Sequence, residues 1–193
     1  IPETPGFWKE DVEIPEPRWE PQVVAGQRYN VATVRKLVLF PQQTGTLTID
    51  GFDLVGYMRT SFFNGQNVTA EADPVKIEVK PLPEPIPSDF IGAFGQLRVT
   101  PKQTGQACRT NEAITYDLTF SGQGNLKFIQ EPALTWPGEF EVFDPEVIDQ
   151  IRVNAGGESG SRTFRYVVIP RAPGQYVLPV PTMAWFNTKV RDY

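Results

Sequence analysis

The sequence predicts an all-β protein built from two copies of one unit, and three observations carry that expectation. The first is an internal repeat. Residues 38–49 read VLFPQQTGTLTI and residues 167–178 read VVIPRAPGQYVL, so Pro41 answers to Pro170 and Gly45 to Gly174, each 129 positions on (170 − 41 and 174 − 45). In both copies a β-rich run is stopped by a proline, which has no N–H to give a central ladder. A glycine then opens a second alternating run. The second observation is composition: 19 prolines, 16 glycines and 12% aromatic residues suit short strands joined by turns, and 40% hydrophobic residues can build cores, which argues against disorder. The third is strict alternation in short runs. It is clearest in 112–120, where Ile114, Tyr116, Leu118 and Phe120 alternate with Thr115, Asp117 and Thr119 and so give one core face and one wet face.

Taken in order, residues 1–21 carry Pro2, Pro5, Pro15, Pro17 and Pro21 among Phe7, Trp8 and Trp19. That pattern is too broken for a long strand or a helix, and predicts an extended segment pinned to a surface by its aromatics. Residues 29–40 read as one long strand, 44–50 as a second and 52–63 as a third, followed by Asn64-Gly65, a pair that favours a tight hairpin turn. Val75, Ile77 and Val79 alternate with Lys76, Glu78 and Lys80 in a closing strand with one wet face. The run PLPEPIP, 81–87, favours a stiff extended spacer. The domain reading is therefore a partial β domain at 1–80, a proline-rich linker at 81–87 and a second domain at 88–193.

The second domain opens with GAFGQLRV, where Gly92 and Gly95 point to a bulge or a close approach of two backbones. A polar connection, 101–111, leads to the alternating strand, and SGQGN, 121–125, reads as a turn with two glycines. Further strands are expected at 126–129, 151–153, 164–169, 175–178 and 183–186, with the glycine-rich AGGESGS loop, 155–161, between two of them. Short strands separated by turn signals over about a hundred residues describe an immunoglobulin-like sandwich. Mapped by the repeat offset, Ile1 corresponds to Gln130, so the first unit has no counterpart of 89–129 and lacks its N-terminal strands. Val75–Val79 maps beyond Tyr193, and the native polypeptide is expected to continue in both directions.

Five blocks in this order carry a resemblance: GAFGQL, SGQGNLKFI, EPALTWPGEFEVFDPEV, GSRTFRYVVIPRAPGQYVLP and the closing pair Trp185-Phe186. Together they resemble the BatD (aerotolerance, or oxygen-tolerance) family over 87–193, and RKLVLFPQQTGTLTI extends the likeness to the first unit. The resemblance implies an exported protein of the bacterial envelope, with tandem immunoglobulin-like domains in the periplasm. It also implies anchoring to the inner membrane by a segment outside this chain. The partners it implies are other envelope proteins, among them the von Willebrand A domain proteins encoded in related operons beside MoxR-type ATPases. The sequence holds neither a signal segment nor an apolar run of about 18 residues, so it reads as an ectodomain fragment without membrane contact of its own.

The residues offer little chemistry. With no histidine the chain has no Ser-His-Asp or Cys-His centre and lacks the commonest zinc ligand. The net charge of −5 is spread along the chain, which speaks against nucleic acid. Cys108 in GQACRTNE sits beside Arg109, a cation that would favour the thiolate, yet no second cysteine stands ready to resolve it. It reads as a small residue at the start of a strand. AGGESGS lacks a following Walker lysine and reads as a hairpin loop. Asp144, Glu146 and Asp149 form an acidic cluster without an EF-hand pattern, read as a solvated face. Asn67-Val68-Thr69 matches a glycosylation sequon and reads as an exposed loop. Trp136 and Trp185 read as fillers of core or interdomain space, with sugar stacking as their alternative use. The sequence therefore points to a non-enzymatic interaction or assembly module, with no catalytic, cofactor or metal residues. Its alternative is a carbohydrate or cell-wall binder, which would need coplanar, exposed aromatics, and a redox enzyme would need Cys108 exposed in a basic pocket.

Overall fold

The computed structural model describes residues 2–59, 61, 64–105, 107–154 and 156–193. The fold is all-β, with strands joined by turns, one 3-10 turn and no α-helix among the described residues. Two compact units emerge: Ile1–Glu10 with Leu39–Leu82, and Asp11–Val38 with Pro83–Tyr193.

The first strands in chain order are β1 (Phe7–Asp11), β2 (Glu20–Val24), β3 (Gln27–Val31) and β4 (Leu37–Pro41). They are followed by β5 (Gly45–Ile49), β6 (Phe52–Arg59), β7 (Gly65–Ala72) and β8 (Val75–Val79). In the first unit β5 pairs antiparallel with β8, with Leu47 opposite Ile77, and β6 with β7, with Arg59 opposite Gly65. Leu47 is the one buried hydrophobic residue described there, whereas β6 is exposed along its whole length. In the second unit β2 and β3 form a hairpin whose two turn residues, Ala25 and Gly26, both have positive φ. That is the conformation a two-residue hairpin needs to match the twist of its strands.

Three expectations for this half are corrected. The long strand at 29–40 is broken between β3 and β4, because the backbone there is used otherwise: Val12 N–H donates to the Lys36 carbonyl at 2.9 Å, and Arg35 grips the Asp11 carboxylate with two bonds of 2.7 and 2.8 Å. Gly65 does not sit in a tight turn but opens β7, where a Cβ would collide with the Tyr57 ring. Residues 60, 62 and 63, the end of the expected third strand, lie outside the described residues. Asn67, read as part of a loop, lies within β7 opposite Tyr57.

The second unit carries the main core. Its strands are β9 (Phe90–Gln103), β10 (Ile114–Gly124), β11 (Phe140–Val142), β12 (Glu146–Asn154), β13 (Gly157–Pro170) and β14 (Ala184–Phe186). The sheet order is β11-β13-β10-β9-β14, with β12 also paired to β13, antiparallel except for the parallel β14–β9 contact. β10 and β13 face each other with Tyr116 opposite Tyr166 and Leu118 opposite Phe164, so the buried residues of both strands share one face. On that face Phe120 meets Phe164 edge-on at 5.9 Å, and Trp136 meets Tyr116 and Tyr166, each at 5.4 Å. The opposite face is polar. It holds the Thr119–Thr163 hydroxyl pair at 2.9 Å and the Asp117–Arg165 ion pair, in agreement with the alternation in the sequence.

Irregular chain covers this core: Leu126 and Ile129 are fully buried around the 3-10 turn Leu126–Phe128, and Leu134, Trp136, Leu178, Met183 and Trp185 pack beside them. The turn is fastened to β13 at both backbone groups of Lys127. Its N–H donates to the buried Glu158 carboxylate at 3.3 Å, and its carbonyl accepts from Arg162 at 2.8 Å.

Four readings of the second domain change. SGQGN is no turn, since Ser121–Gly124 continue β10, and 126–129 forms the 3-10 turn rather than a strand. The glycine-rich loop shrinks to the hairpin turn between Asn154 and Gly157, with Ala155 outside the described residues, and Gly157–Ser161 belong to β13. Pro41 and Pro170 each end a strand, β4 and β13. Beyond Pro170, however, Gln175–Leu178 joins no ladder among the described residues.

Candidate interaction surface

The end of the second repeat builds a groove of about 760 Å³. Its floor is Ile114 at the start of β10, Phe140 of β11 and Pro170 at the end of β13. Its walls are 103–105 and 107–110 on one side, and Tyr176 and Leu178 on the other. The walls are held by specific bonds. Thr104 N–H donates to Thr115 carbonyl at 3.0 Å, Arg109 N–H donates to the Glu112 carboxylate at 2.9 Å, and Asn111 N–H donates to Pro170 carbonyl at 2.8 Å. Arg171 fixes the far side: its N–H donates to Glu139 carbonyl at 2.7 Å, and its guanidinium binds Glu141 and, at 2.8 Å, Asn111 Oδ1. The Tyr176 ring stands edge-on to Phe140 at 5.0 Å and lies against Gly174, where a Cβ would come within 2.9 Å of it. A side chain at Gly174 would have to displace the end of the Tyr176 ring. Tyr176 donates its hydroxyl proton to Ala172 carbonyl at 3.2 Å.

Cys108 is exposed on the rim of this groove beside Arg109, which is the one basic residue of the described lining. The acidic trio is not a cluster in space. Asp149 pairs with Arg162 at 3.4 Å, Glu146 sits opposite Arg165 in the β12–β13 register, and Asp144 borders a second, smaller cleft. Among the described residues no three His, Cys, Asp or Glu side chains are grouped to hold a metal ion. Trp136 and Trp185 pack against the core, where their rings are half-buried.

Of the three tyrosines with raised pKa values, Tyr116, Tyr166 and Tyr193, the first two belong to the core of this unit. Burial raises the pKa of Tyr116, which donates to Pro179 carbonyl at 2.5 Å and so ties the segment after the groove to the core. Burial, and then the negative charge of Glu131, hold Tyr166 far above its ordinary value of 10.0. Tyr166 and its cleft were not singled out in the sequence, because the segments that line the cleft, 131–136 and 142–144, meet only through the β11–β13 pairing. Glu158 was missed for a different reason, since a carboxylate inside AGGESGS reads as solvated loop.

Residues 100–192 match the family model described as the BatD DUF11-like domain. Residues 100–192 are thus a BatD-family domain. No curated protein and no solved structure matches the chain. The BatD domain runs from within β9 to beyond β14, so every residue that lines the groove lies inside it. No helix among the described residues is long and apolar enough to cross a membrane.

Proposed function

We propose that this BatD chain is a non-enzymatic interaction module of an aerotolerance-associated complex in the bacterial envelope. In this reading it works in the periplasm, on tandem immunoglobulin-like units, and is anchored to the inner membrane by a segment outside this sequence. The groove carries the proposal. Its described lining joins apolar and proline surfaces to hydroxyl, amide and backbone groups and contains no carboxylate. That mixture suits an extended, largely apolar segment of another protein, whereas it offers no acid and base pair to act on a bond. The family match supports the aerotolerance association, and the repeat, with Pro41 and Pro170 each closing a strand, supports the tandem units. The partner class follows from the family resemblance: envelope proteins, and among them the von Willebrand A protein of the same operon. The alternative, carbohydrate or cell-wall binding, is less favoured because Trp136 and Trp185 are packed against the core rather than laid out as a platform.

The test is binding of the purified chain to its operon's von Willebrand A protein. Ala107 and Thr110 are exposed on the groove wall, so Ala107→Trp and Thr110→Trp fill the groove without entering the core. Each is expected to weaken binding by about tenfold or more, roughly 1.4 kcal/mol, with an unchanged melting temperature. Undiminished binding by both variants would remove the groove from the interface. Binding to cell-wall fragments and not to the protein would favour the alternative.

A further inference from the structure

We propose that residues 175–178 are the acceptor edge for a β-strand donated by another protein, which fills the groove by pairing antiparallel with them. The inference rests on the reading of the groove as an interaction surface and adds the form in which its occupant arrives. The internal repeat supplies the argument. Leu47 and Ile49 of β5 answer to Tyr176 and Leu178, each 129 positions on (176 − 47 and 178 − 49). In the first unit β5 does not stand alone: it pairs with β8, Leu47 opposite Ile77, Thr48 opposite Lys76 and Ile49 opposite Val75. In the second unit the equivalent run belongs to no strand, and the backbone groups of 175–178 have no hydrogen-bond partner among the described residues. Exposure differs in the same sense. Leu47 is buried and Thr48 half-buried, whereas Tyr176 is half-buried and Val177 is 90% exposed.

The groove defines the strand. Directly opposite residues of an antiparallel pair share a face, so side chains set against Tyr176 and Leu178 enter the groove that these two line, towards Phe140 and Ile114. Those positions call for apolar, β-branched residues, as Ile77 and Val75 are in β8. The alternate positions lie against Gln175 and Val177 and stay polar. Arg109 is the one charged residue of the described lining, which favours a carboxylate among those polar positions, as Glu78 is in β8. An unpaired strand edge is a template for another chain: its main-chain groups supply affinity, and the alternate side chains supply selectivity. A helical or polyproline occupant is a poorer match, since neither would pair the backbone of 175–178.

The probe is a synthetic peptide with the sequence of residues 73–80, DPVKIEVK, which contains the strand paired to β5. It is added to the whole chain, and amide exchange is followed residue by residue by proton–nitrogen NMR. The expected result is saturable binding in which exchange slows at least tenfold at two alternate residues of 175–178 and not at the two between them. That pattern is specific to strand pairing, because only every second residue of a strand turns its N–H toward a given neighbour. The peptide carrying Ile77→Asp should bind at least tenfold more weakly. Binding that leaves 175–178 unprotected would overturn strand addition while keeping the groove as a docking surface of another form. Slowing at 45–49 instead would show exchange with β8 and overturn it as well. No binding also overturns the proposal, whereas the groove itself stands or falls with the Ala107→Trp and Thr110→Trp variants. Slow exchange of 175–178 in the full-length protein alone would assign the strand to the protein's own chain, which equally overturns donation by another protein.

Discussion

Gly122 and Gly160 stand directly opposite each other across β10 and β13, and both have positive φ, +141° and +138°. A Cβ on Gly122 would lie 2.0 Å from the Gln96 carbonyl oxygen of β9, and one on Gly160 would lie 2.0 Å from the Gln150 carbonyl oxygen of β12. Four adjacent strands therefore pass over this pair at a spacing that no other residue permits. Gly122→Ala and Gly160→Ala are each expected to cost about 3 kcal/mol or more in denaturant unfolding, combining backbone strain with an unavoidable clash. Gly138→Ala is the control, with nothing within 4 Å of its added Cβ, and should stay within about 0.5 kcal/mol.

The Asp117–Arg165 pair should give the domain a measurable acid dependence. Hydrogen bonds of 2.9 and 2.8 Å from Arg165 hold the Asp117 carboxyl below its ordinary value of 3.8, and partial burial opposes them. The folded state thus binds its proton less readily than the unfolded chain does. The stabilisation is complete above the ordinary carboxylate value and is lost as pH falls through the lowered native one. Asp117→Asn should melt below the parent at neutral pH, and the gap should close in acid. A gap that stays constant with pH would show that the carboxylate's charge contributes nothing.

Cys108 should be replaceable. It is exposed on the groove rim, and the chain has no second cysteine to bridge to. Cys108→Ser is expected to change stability by less than about 1 kcal/mol and to leave partner binding intact. Loss of function with stability retained would give the thiol a chemical role and revive the redox reading.

What the sequence made legible was whatever has a period of two or a stop signal. The alternation from Ile114 to Phe120 identified the core face of β10, Pro41 and Pro170 marked strand ends, and Gly95 does lie at a close approach, 2.1 Å from the Gln123 carbonyl oxygen for an added Cβ. Glycines within strands misled, because Gly122, Gly124 and Gly160 have the composition of a turn but serve inter-strand contact, a need set by residues far away in the chain. The groove and the Tyr166 cleft were hidden for a related reason. Each is assembled from segments that come together only after β13 has paired with β10 and β11. No local pattern encodes that meeting.

Where the core sits decides how fragments should behave. Every buried hydrophobic residue described, apart from Leu47, lies between Ala93 and Val168, and Leu178, Met183 and Trp185 help to cover them. β2 and β3, which belong to the same unit, are exposed at every position and contribute none of that core. A fragment of residues 83–193 is therefore expected to unfold cooperatively, and within it Phe120→Ala should cost about 3–5 kcal/mol, since the ring is fully buried against Phe164. Residues 1–80 are the opposite case. With Phe52, Leu54, Val55, Tyr57 and Met58 of β6 all exposed and Leu47 alone buried among the described hydrophobic residues, that piece has too little core to offset its chain entropy, and it should show no cooperative transition or should aggregate. A sharp melt from residues 1–80 would show that the first unit finds its core within itself. A featureless melt from 83–193 would mean that β2 and β3 stabilise the sheet by something other than burial.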